Sequence, residues 1–428
     1  MAGAFDWGPI RTAFLRADSD LCHRLLQDAP RPEALIWQGV IDVREGRYAN
    51  AITTLLRVRP EDLRLRAERD VWLARCYANT GECSMAQAFV ERALSNVHPP
   101  NRTAYRAIYA RALAYYLSRQ YEDAETAIDQ LIKCDDAEYR AQAHALRGWV
   151  AARHEDLRTQ IDCLTRCFAE YENVSEPLQY VFAHALVAFA ALCREMPIAH
   201  VHERVRRAFE RVPQTNGIAG AYFQLTRIFG WIDALQGDEL SALRFWREAE
   251  QSAPSDFWCV FCLVDRAYLA RVSGRSQQAE EALAQAHEQA SRLNWNQTRD
   301  EERIILLTIA QLFAAEQPAL AERYLALFRS MPTEMDPRIG WYGDRRTRAL
   351  QLYPQSIALL HLGEREAAIA MLQEAWEIFN VFEYGWRAAL AALDLYRATG
   401  ERRWLEHARR QIEPWPKSWI AREAARAD

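Results

Sequence analysis

Trp258-Cys259-Val260-Phe261-Cys262 places two thiols three residues apart behind a tryptophan, the spacing that dithiol–disulfide exchange uses. That chemistry needs the first thiol at a helix N-terminus following a strand, where the helix dipole lowers its pKa. No strand signal precedes Trp258, and the pair lies within an apolar helical pattern, so both read as core cysteines. Cys163 and Cys167 share one helix face, with His144 and His154 upstream. A zinc site needs about four converging ligands, and Cys167 falls on a small interior position, so no metal site is expected. His200 and His202 point to different faces and read as surface residues. Nine cysteines in no regular framework suit the reduced, buried thiols of a cytoplasmic protein.

The remaining chemistry-bearing patterns are missing. The sequence has no Gly-rich phosphate loop, no His-Glu-x-x-His and no Gly-x-Ser-x-Gly. Acid pairs such as Asp135-Asp136 and Glu301-Glu302 fall in turns or helix starts, where carboxylates favour the dipole. No catalytic residue and no cofactor is expected. A net charge of −5 gives no global basic field for nucleic acid. Almost every base is Arg, with Lys only at 133 and 417. The N-terminal stretch carries acids and lacks the apolar run of a secretory signal. No stretch reaches the roughly 18 uninterrupted apolar residues of a membrane span, the longest run being Val181 to Cys193, interrupted by His184.

The elements that position these side chains are helices. Apolar residues recur at three- and four-residue spacing, and strand patterns are nearly absent. Breakers at Gly46, Gly81, Gly237, Gly274, Gly363 and Gly400 separate the segments. A glycine there can take the left-handed conformation that ends a helix and lets the chain fold back. Alignment on these turns gives about ten repeats. One has Ala74, Tyr77, Gly81, Ala86 and Val90; another has Gly230, Gly237, Ala242, Trp246, Ala249 and Pro254. The fifth, around Ala188 and Ala191, turns near Met196-Pro197 and lacks the glycine. Small residues let two helices approach closely, and a bulky partner fills the neighbouring groove.

This pattern resembles the tetratricopeptide repeat: a small residue where two helices touch, Tyr three later, a Gly turn, then Ala and an aromatic. The resemblance covers about residues 33 to 417, and several repeats run longer than the usual period. The longer period is similar to the helical sensor arrays of large LuxR-type bacterial regulators, although no DNA-binding output module is recognisable. The expected fold is all-α, a right-handed superhelical solenoid of helix-turn-helix repeats. Residues 1–32 form a capping segment, 33–330 about eight repeats, 331–348 an inserted loop, and 349–428 two further repeats and a C-terminal cap. In the loop, Trp341-Tyr342 and Arg345-Arg346 offer a contact patch.

In that family the first helix of each repeat lines the inner, concave wall. Carrying the wall positions over gives Arg75 with Asn79; Arg106, Tyr109, Tyr116, Trp149 and Arg153; Arg227, Trp231, Tyr268 and Arg271; and Asp394 with Arg397. Aromatic anchors beside Arg dominate interface energetics, and Arg holds a carboxylate through two parallel hydrogen bonds. The expected function is a non-catalytic adaptor that binds a protein or peptide segment, acidic in character, in the groove, with no direct nucleic-acid or membrane partner. The alternative is a ligand- or peptide-responsive sensor controlling a separate output protein.

Overall fold

The computed structural model describes residues 7–30, 32–175, 177–196, 199–215, 218–253, 255–295, 300–331 and 344–427, with the backbone alone at 199–202, 300, 301 and 344. Every regular element among the described residues is a helix. The chain divides into two compact units, residues 1–189 with 209–219, and residues 190–208 with 220–428.

The first unit holds α1 (Gly8–Leu15), α2 (Ser19–Leu26), α3 (Glu33–Arg44), α4 (Tyr48–Arg57), α5 (Leu63–Thr80), α6 (Cys83–Leu94), α7 (Arg102–Leu117), α8 (Tyr121–Ile132), α9 (Ala137–Arg153) and α10 (Leu157–Tyr171). Helix α11 (Gln179–Glu195) begins in this unit, and its last residues belong to the second, as does most of α12 (Ala199–Phe209). The second unit continues with α13 (Ala219–Leu235), α14 (Glu239–Gln251), α15 (Asp256–Val272), α16 (Ser276–Ala290), α17 (Asp300–Phe313), α18 (Pro318–Ser330), α19 (Asp344–His361), α20 (Arg365–Val381), α21 (Gly385–Thr399), α22 (Arg402–Ile412) and α23 (Trp419–Arg426). Within each unit, neighbouring helices such as α5–α6, α9–α10, α15–α16 and α19–α20 pack as antiparallel hairpins that stack on one another.

Local chemistry sets the helix ends. Side chains of Asp62, Asn101, Asp136, Asp156 and Asp238 accept hydrogen bonds from the first free N–H groups of α5, α7, α9, α10 and α14. Asp136 of the Asp135-Asp136 pair is therefore a helix cap. The six turn glycines all have positive φ, from 72° at Gly274 to 89° at Gly363. Where the third and fourth repeats lack a glycine, Arg119 (φ 62°) and Glu155 (φ 57°) take the same left-handed conformation. An L side chain there costs roughly 1–2 kcal/mol.

Within a hairpin, a small residue on the first helix meets a bulky one sixteen positions later. A Cβ placed on Gly39 would lie 2.6 Å from Leu55 Cγ, and one on Gly148 would lie 3.3 Å from Leu164 Cγ. At Gly230 it would overlap the indole of Trp246, whose Nε1 donates to the Arg227 carbonyl at 3.0 Å. The same spacing puts Ala74 with Val90, Ala112 with Ile128 and Ala267 with Leu283 in shared buried clusters.

One boundary of the expected loop changes, and the expected capping segment is itself helical. Residues 1–32 contain a hairpin, α1–α2, whose Ile10, Ala13 and Cys22 pack against Ile41 of α3. The inserted loop is shorter than 331–348 at its C-terminal end, because α19 already begins at Asp344. Arg346 is buried rather than available for a contact patch, with its guanidinium over Phe382. Trp341-Tyr342, like Pro197 and Pro254, lies outside the described residues.

Two substitutions test this packing in equilibrium urea unfolding. Gly230→Ala forces a methyl into the Trp246 indole and should lower stability by about 1–3 kcal/mol. Arg119→Gly relieves a left-handed L residue and should raise stability by about 1 kcal/mol.

Candidate binding site

The structure first separates the predicted wall residues by what already holds them. Successive first helices are tied by contacts whose sequence separation matches one repeat. Arg106 of α7 pairs with Glu68 of α5, and its Nε donates to Tyr139 Oη of α9 at 3.3 Å. Arg153 Nε of α9 donates to Tyr116 Oη of α7 at 3.2 Å. Arg227 of α13 pairs with Asp265 of α15 and lies 3.5 Å from the Phe261 ring centre. Arg271 of α15 bonds the Leu312 carbonyl and pairs with Glu316 at 3.0 Å. These arginines set the register between repeats, a role that the sequence does not distinguish from groove recognition.

Three predicted residues of the second unit, Trp231, Arg227 and Tyr268, are enclosed by the unit's own side chains. Trp231 is only 8% exposed. It stacks on Trp386 of α21 at 5.6 Å and packs edge-on against Trp246 at 5.3 Å. Tyr268 and Trp419 of α23 complete the cluster, with ring centres 5.9 and 6.1 Å from Trp231. Arg227 is closed off by Asp265 and Phe261. Tyr268 is half-buried, and burial raises its phenol pKa, with the Asp394 carboxylate adding to the rise. The C-terminal segment helps fill this space. A Cβ on Gly237 would lie 2.7 Å from the Lys417 carbonyl oxygen, and Arg422 pairs with Glu239 at 2.5 Å. Arg397 is exposed and paired with Asp394 at 3.0 Å and Glu423 at 2.6 Å. Tyr353 Oη donates to Asp394 at 2.7 Å, which makes Asp394 an internal acceptor.

The cysteine pairs take their expected core positions. Cys262 is buried and Cys259 half-buried in the first turns of α15. Burial raises both thiols, opposite to the shift exchange chemistry needs. Burial also pushes Cys163 up to about 11 and raises Cys167 further. Among the described residues, no group of three or more His, Cys, Asp or Glu is placed to hold a metal ion. No helix is long and apolar enough to cross a membrane, again among the described residues.

The first unit is different. On α5, Arg75 is half-buried, and its guanidinium carbon lies 5.0 Å from the Trp72 ring centre and 5.9 Å from that of Tyr109 on α7. Its Nε is buried without a hydrogen-bond partner. Asn79 does not join it, since its amide donates to the Arg75 carbonyl at 2.8 Å within the helix. Arg44, at the end of α3, is 6% exposed. Its Nη2 donates to the Phe14 carbonyl at 2.8 Å, with the Phe14 ring centre 3.8 Å away, while Nε and Nη1 have no partner. The nearby acids Asp42 and Glu45 both pair with Arg47, and the Glu45 carboxylate also attracts Arg44. Each buried, unsatisfied donor costs about 1–3 kcal/mol.

Tyr180, near the start of α11, lies close enough to both Arg44 and Arg75 for its phenol to feel both charges. Burial nevertheless keeps its pKa raised. Tyr109 is raised in the same way, and Tyr48 is pushed up to about 12. All three phenols are neutral donors at pH 7. His184, one helical turn beyond Tyr180 with ring centres 4.6 Å apart, is pushed down to about 4 by burial and is neutral too. Burial lowers Arg44 only to about 10, so it stays charged. Further along, Tyr116, Trp149 and Arg153 form a second half-buried group, with the Trp149 ring centre 6.3 Å and the Arg153 guanidinium carbon 5.9 Å from the Tyr116 ring centre. Sequence reasoning named Arg75 and Tyr109 as wall residues and did not name Arg44, Tyr48 or Tyr180. The run Val181 to Cys193 marked α11 as buried, but nothing local shows that Tyr180 reaches α3 and α5.

No family model matches the chain, and no curated protein matches its sequence. Among solved structures, it is similar to human IFIT1, solved as a dimer with PPP-AAAA, at 13% identity and TM-score 0.46, over 99% of this chain and 95% of that one. A monomeric IFIT1 mutant with Gppp-AAAA is similar at 12% identity and TM-score 0.46, over 99% and 96%. The APC/C hetero-tetramer Cut9-Hcn1 contains a chain similar at 14% identity and TM-score 0.32, over 94% of this chain and 86% of that one. Likenesses of this depth say nothing about a ligand.

The two classes of wall residue should respond differently to substitution. Trp231→Ala should lower stability by about 3–5 kcal/mol, and Arg227→Ala by about 3 kcal/mol because it leaves Asp265 buried without its cation. Arg397→Ala, at an exposed pair, should cost less than about 1 kcal/mol. Calorimetric unfolding of the three variants checks the order.

Proposed function

We propose that this protein is a non-catalytic helical-repeat adaptor of the cytoplasm, and that the first-helix wall of its first unit holds a segment of a partner protein. One observation carries the reading. Arg75, Tyr116, Trp149 and Arg153 remain half-buried along α5, α7 and α9, whereas Trp231 of the second unit is closed in by Trp246, Trp386 and Trp419. Half-buried aromatic and Arg side chains can bury further area on binding without first leaving a core. The surplus guanidinium of Arg75 favours an acidic segment. Neither direct nucleic-acid binding nor membrane insertion belongs to this reading.

The second reading is a sensor like the LuxR-type arrays, with a small ligand on the same wall and a separate output protein. The long period supports it, since Arg227–Asp265 and Tyr353–Asp394 join residues 38 and 41 positions apart.

Affinity capture from native extract tests the adaptor. The intact chain should recover a stoichiometric protein, and Tyr116→Ala combined with Arg153→Ala should lose it while melting cooperatively. Recovery of nothing, or equal recovery by the double variant, would overturn the proposal. A metabolite that stabilises the purified chain in a thermal-shift screen, with no protein captured, would favour the sensor.

A further inference from the structure

In the second unit, α14 and the start of α16 line a groove of about 490 Å³. Leu240, Leu243, Arg244 and Arg247 recur at three- and four-residue spacing, so they share one face of α14. Arg275, at the N-cap position of α16, pairs with Glu239 at 3.3 Å, which holds the two helix starts side by side. Arg244 and Arg247 are exposed, and among the described residues neither forms an ion pair. Arg244 touches the Ser241 hydroxyl at 3.4 Å and lies 5.7 Å from the Phe245 ring centre. Glu248 is the single acid on the lining, and it accepts from the Tyr222 hydroxyl at 2.6 Å. Three arginines against one glutamate leave the groove with a net charge of +2. Counting the ion-pair partners beyond the lining, Glu239 and Arg422, leaves that balance unchanged. Beside this charge, Leu240 is 75% exposed, more than any other large apolar side chain among the described residues.

We propose that this groove docks an acidic segment of a partner protein. One apolar side chain of the segment covers Leu240 and Leu243, and two or three carboxylates meet Arg244, Arg247 and Arg275. An exposed guanidinium not held by its own chain can grip a carboxylate through two parallel hydrogen bonds. The positive end of the α16 dipole lies at the same place. Leu240 to Arg247 covers two helical turns, about 10 Å, the reach of about three extended residues. A nucleic-acid strand suits the groove less well. No aromatic side chain among the described residues lines it for a base to stack on, and the chain's net charge of −5 repels a polyanion. This surface is separate from the first-unit wall and goes beyond the adaptor reading, since it stands whether or not that wall is occupied.

Fluorescence anisotropy with the full chain tests the surface. The probe is a labelled octapeptide of two leucines and four glutamates closed by serines. Its comparators carry glutamine for each glutamate or serine for each leucine, and an octathymidylate represents nucleic acid. The acidic peptide should bind at least about tenfold more tightly than the glutamine form and at least about threefold more tightly than the serine form. Raising salt from about 50 to about 300 mM should weaken it. Arg244→Gln combined with Arg247→Gln should weaken it about tenfold or more, with melting unchanged because both side chains are exposed. Leu240→Ser should weaken it about threefold, and Arg292→Gln, at an exposed pair on α16, should change nothing. A glutamine peptide as tight as the acidic one, no binding up to about 1 mM, or unchanged affinity in the Arg244–Arg247 variant would overturn the proposal. An octathymidylate tighter than the peptide would overturn the peptide as occupant. Loss of peptide binding in Tyr116→Ala with Arg153→Ala, and not in the Arg244–Arg247 variant, would assign the peptide to the first-unit wall and remove this surface. Peptide binding retained where extract capture recovers no protein would sink the adaptor reading alone.

Discussion

The close approach of two helices within each hairpin is the constraint on which the rest of this structure depends. Gly39, Gly148 and Gly230 have no side chain where Leu55, Leu164 and Trp246 must enter. That contact fixes how far apart the two helices lie and how the next hairpin stacks. The turn follows from it, since a chain reversing between closely packed helices needs a left-handed residue. Arg119 and Glu155 adopt that conformation despite its cost, so tertiary packing outweighs local preference there.

With the hairpins fixed, charge sets the register between them. Arg106, Arg153, Arg227 and Arg271 each reach a first helix one repeat away. Partly buried charges are tolerable only when paired and hydrogen-bonded, so each of these contacts penalises a slipped stack. The dominance of Arg over Lys suits this work, because a planar fork bonds an acid and lies over a ring at once. Arg227 does both, with Asp265 on one side and Phe261 beneath it. Arg44 instead bonds a carbonyl, that of Phe14, whose ring centre lies 3.8 Å away.

The two units use equivalent faces differently. In the second, Trp231, Trp386 and Trp419 come from helices far apart in sequence and pack into one aromatic core. Their indole area is a stabilising contribution and leaves that face with its own chain as occupant. In the first, Arg75 of α5 lies against Trp72 and against Tyr109 of α7. Stacked hairpins thus give an aromatic core in one unit and an arginine–aromatic contact in the other, according to which side chains meet.

The helical repeat was legible in the sequence because its causes are local: three- and four-residue periodicity, the turn glycines, and the recurring small residues where two helices touch. The caps at Asp62, Asn101 and Asp136 belong to the same class. The start of α19 was harder to place, since the Pro- and Gly-containing stretch before it masks the helix already formed at Asp344. The wall was only partly legible. Position within a repeat identifies the face a side chain leaves from, which placed Arg75, Tyr109, Tyr116 and Trp149 correctly on first helices. It does not identify what lies opposite. That depends on how several repeats curl, which sums small rotations over a hundred residues or more. Hence Trp231, read as a groove anchor, lies in a core closed by Trp386 and Trp419, and Arg44, read as nothing in particular, lies beside Tyr180. The sequence by itself determined the hairpins, their turns and their inward faces; only the tertiary structure decided which inward faces meet, because that pairing is fixed by long-range curvature rather than by any local pattern.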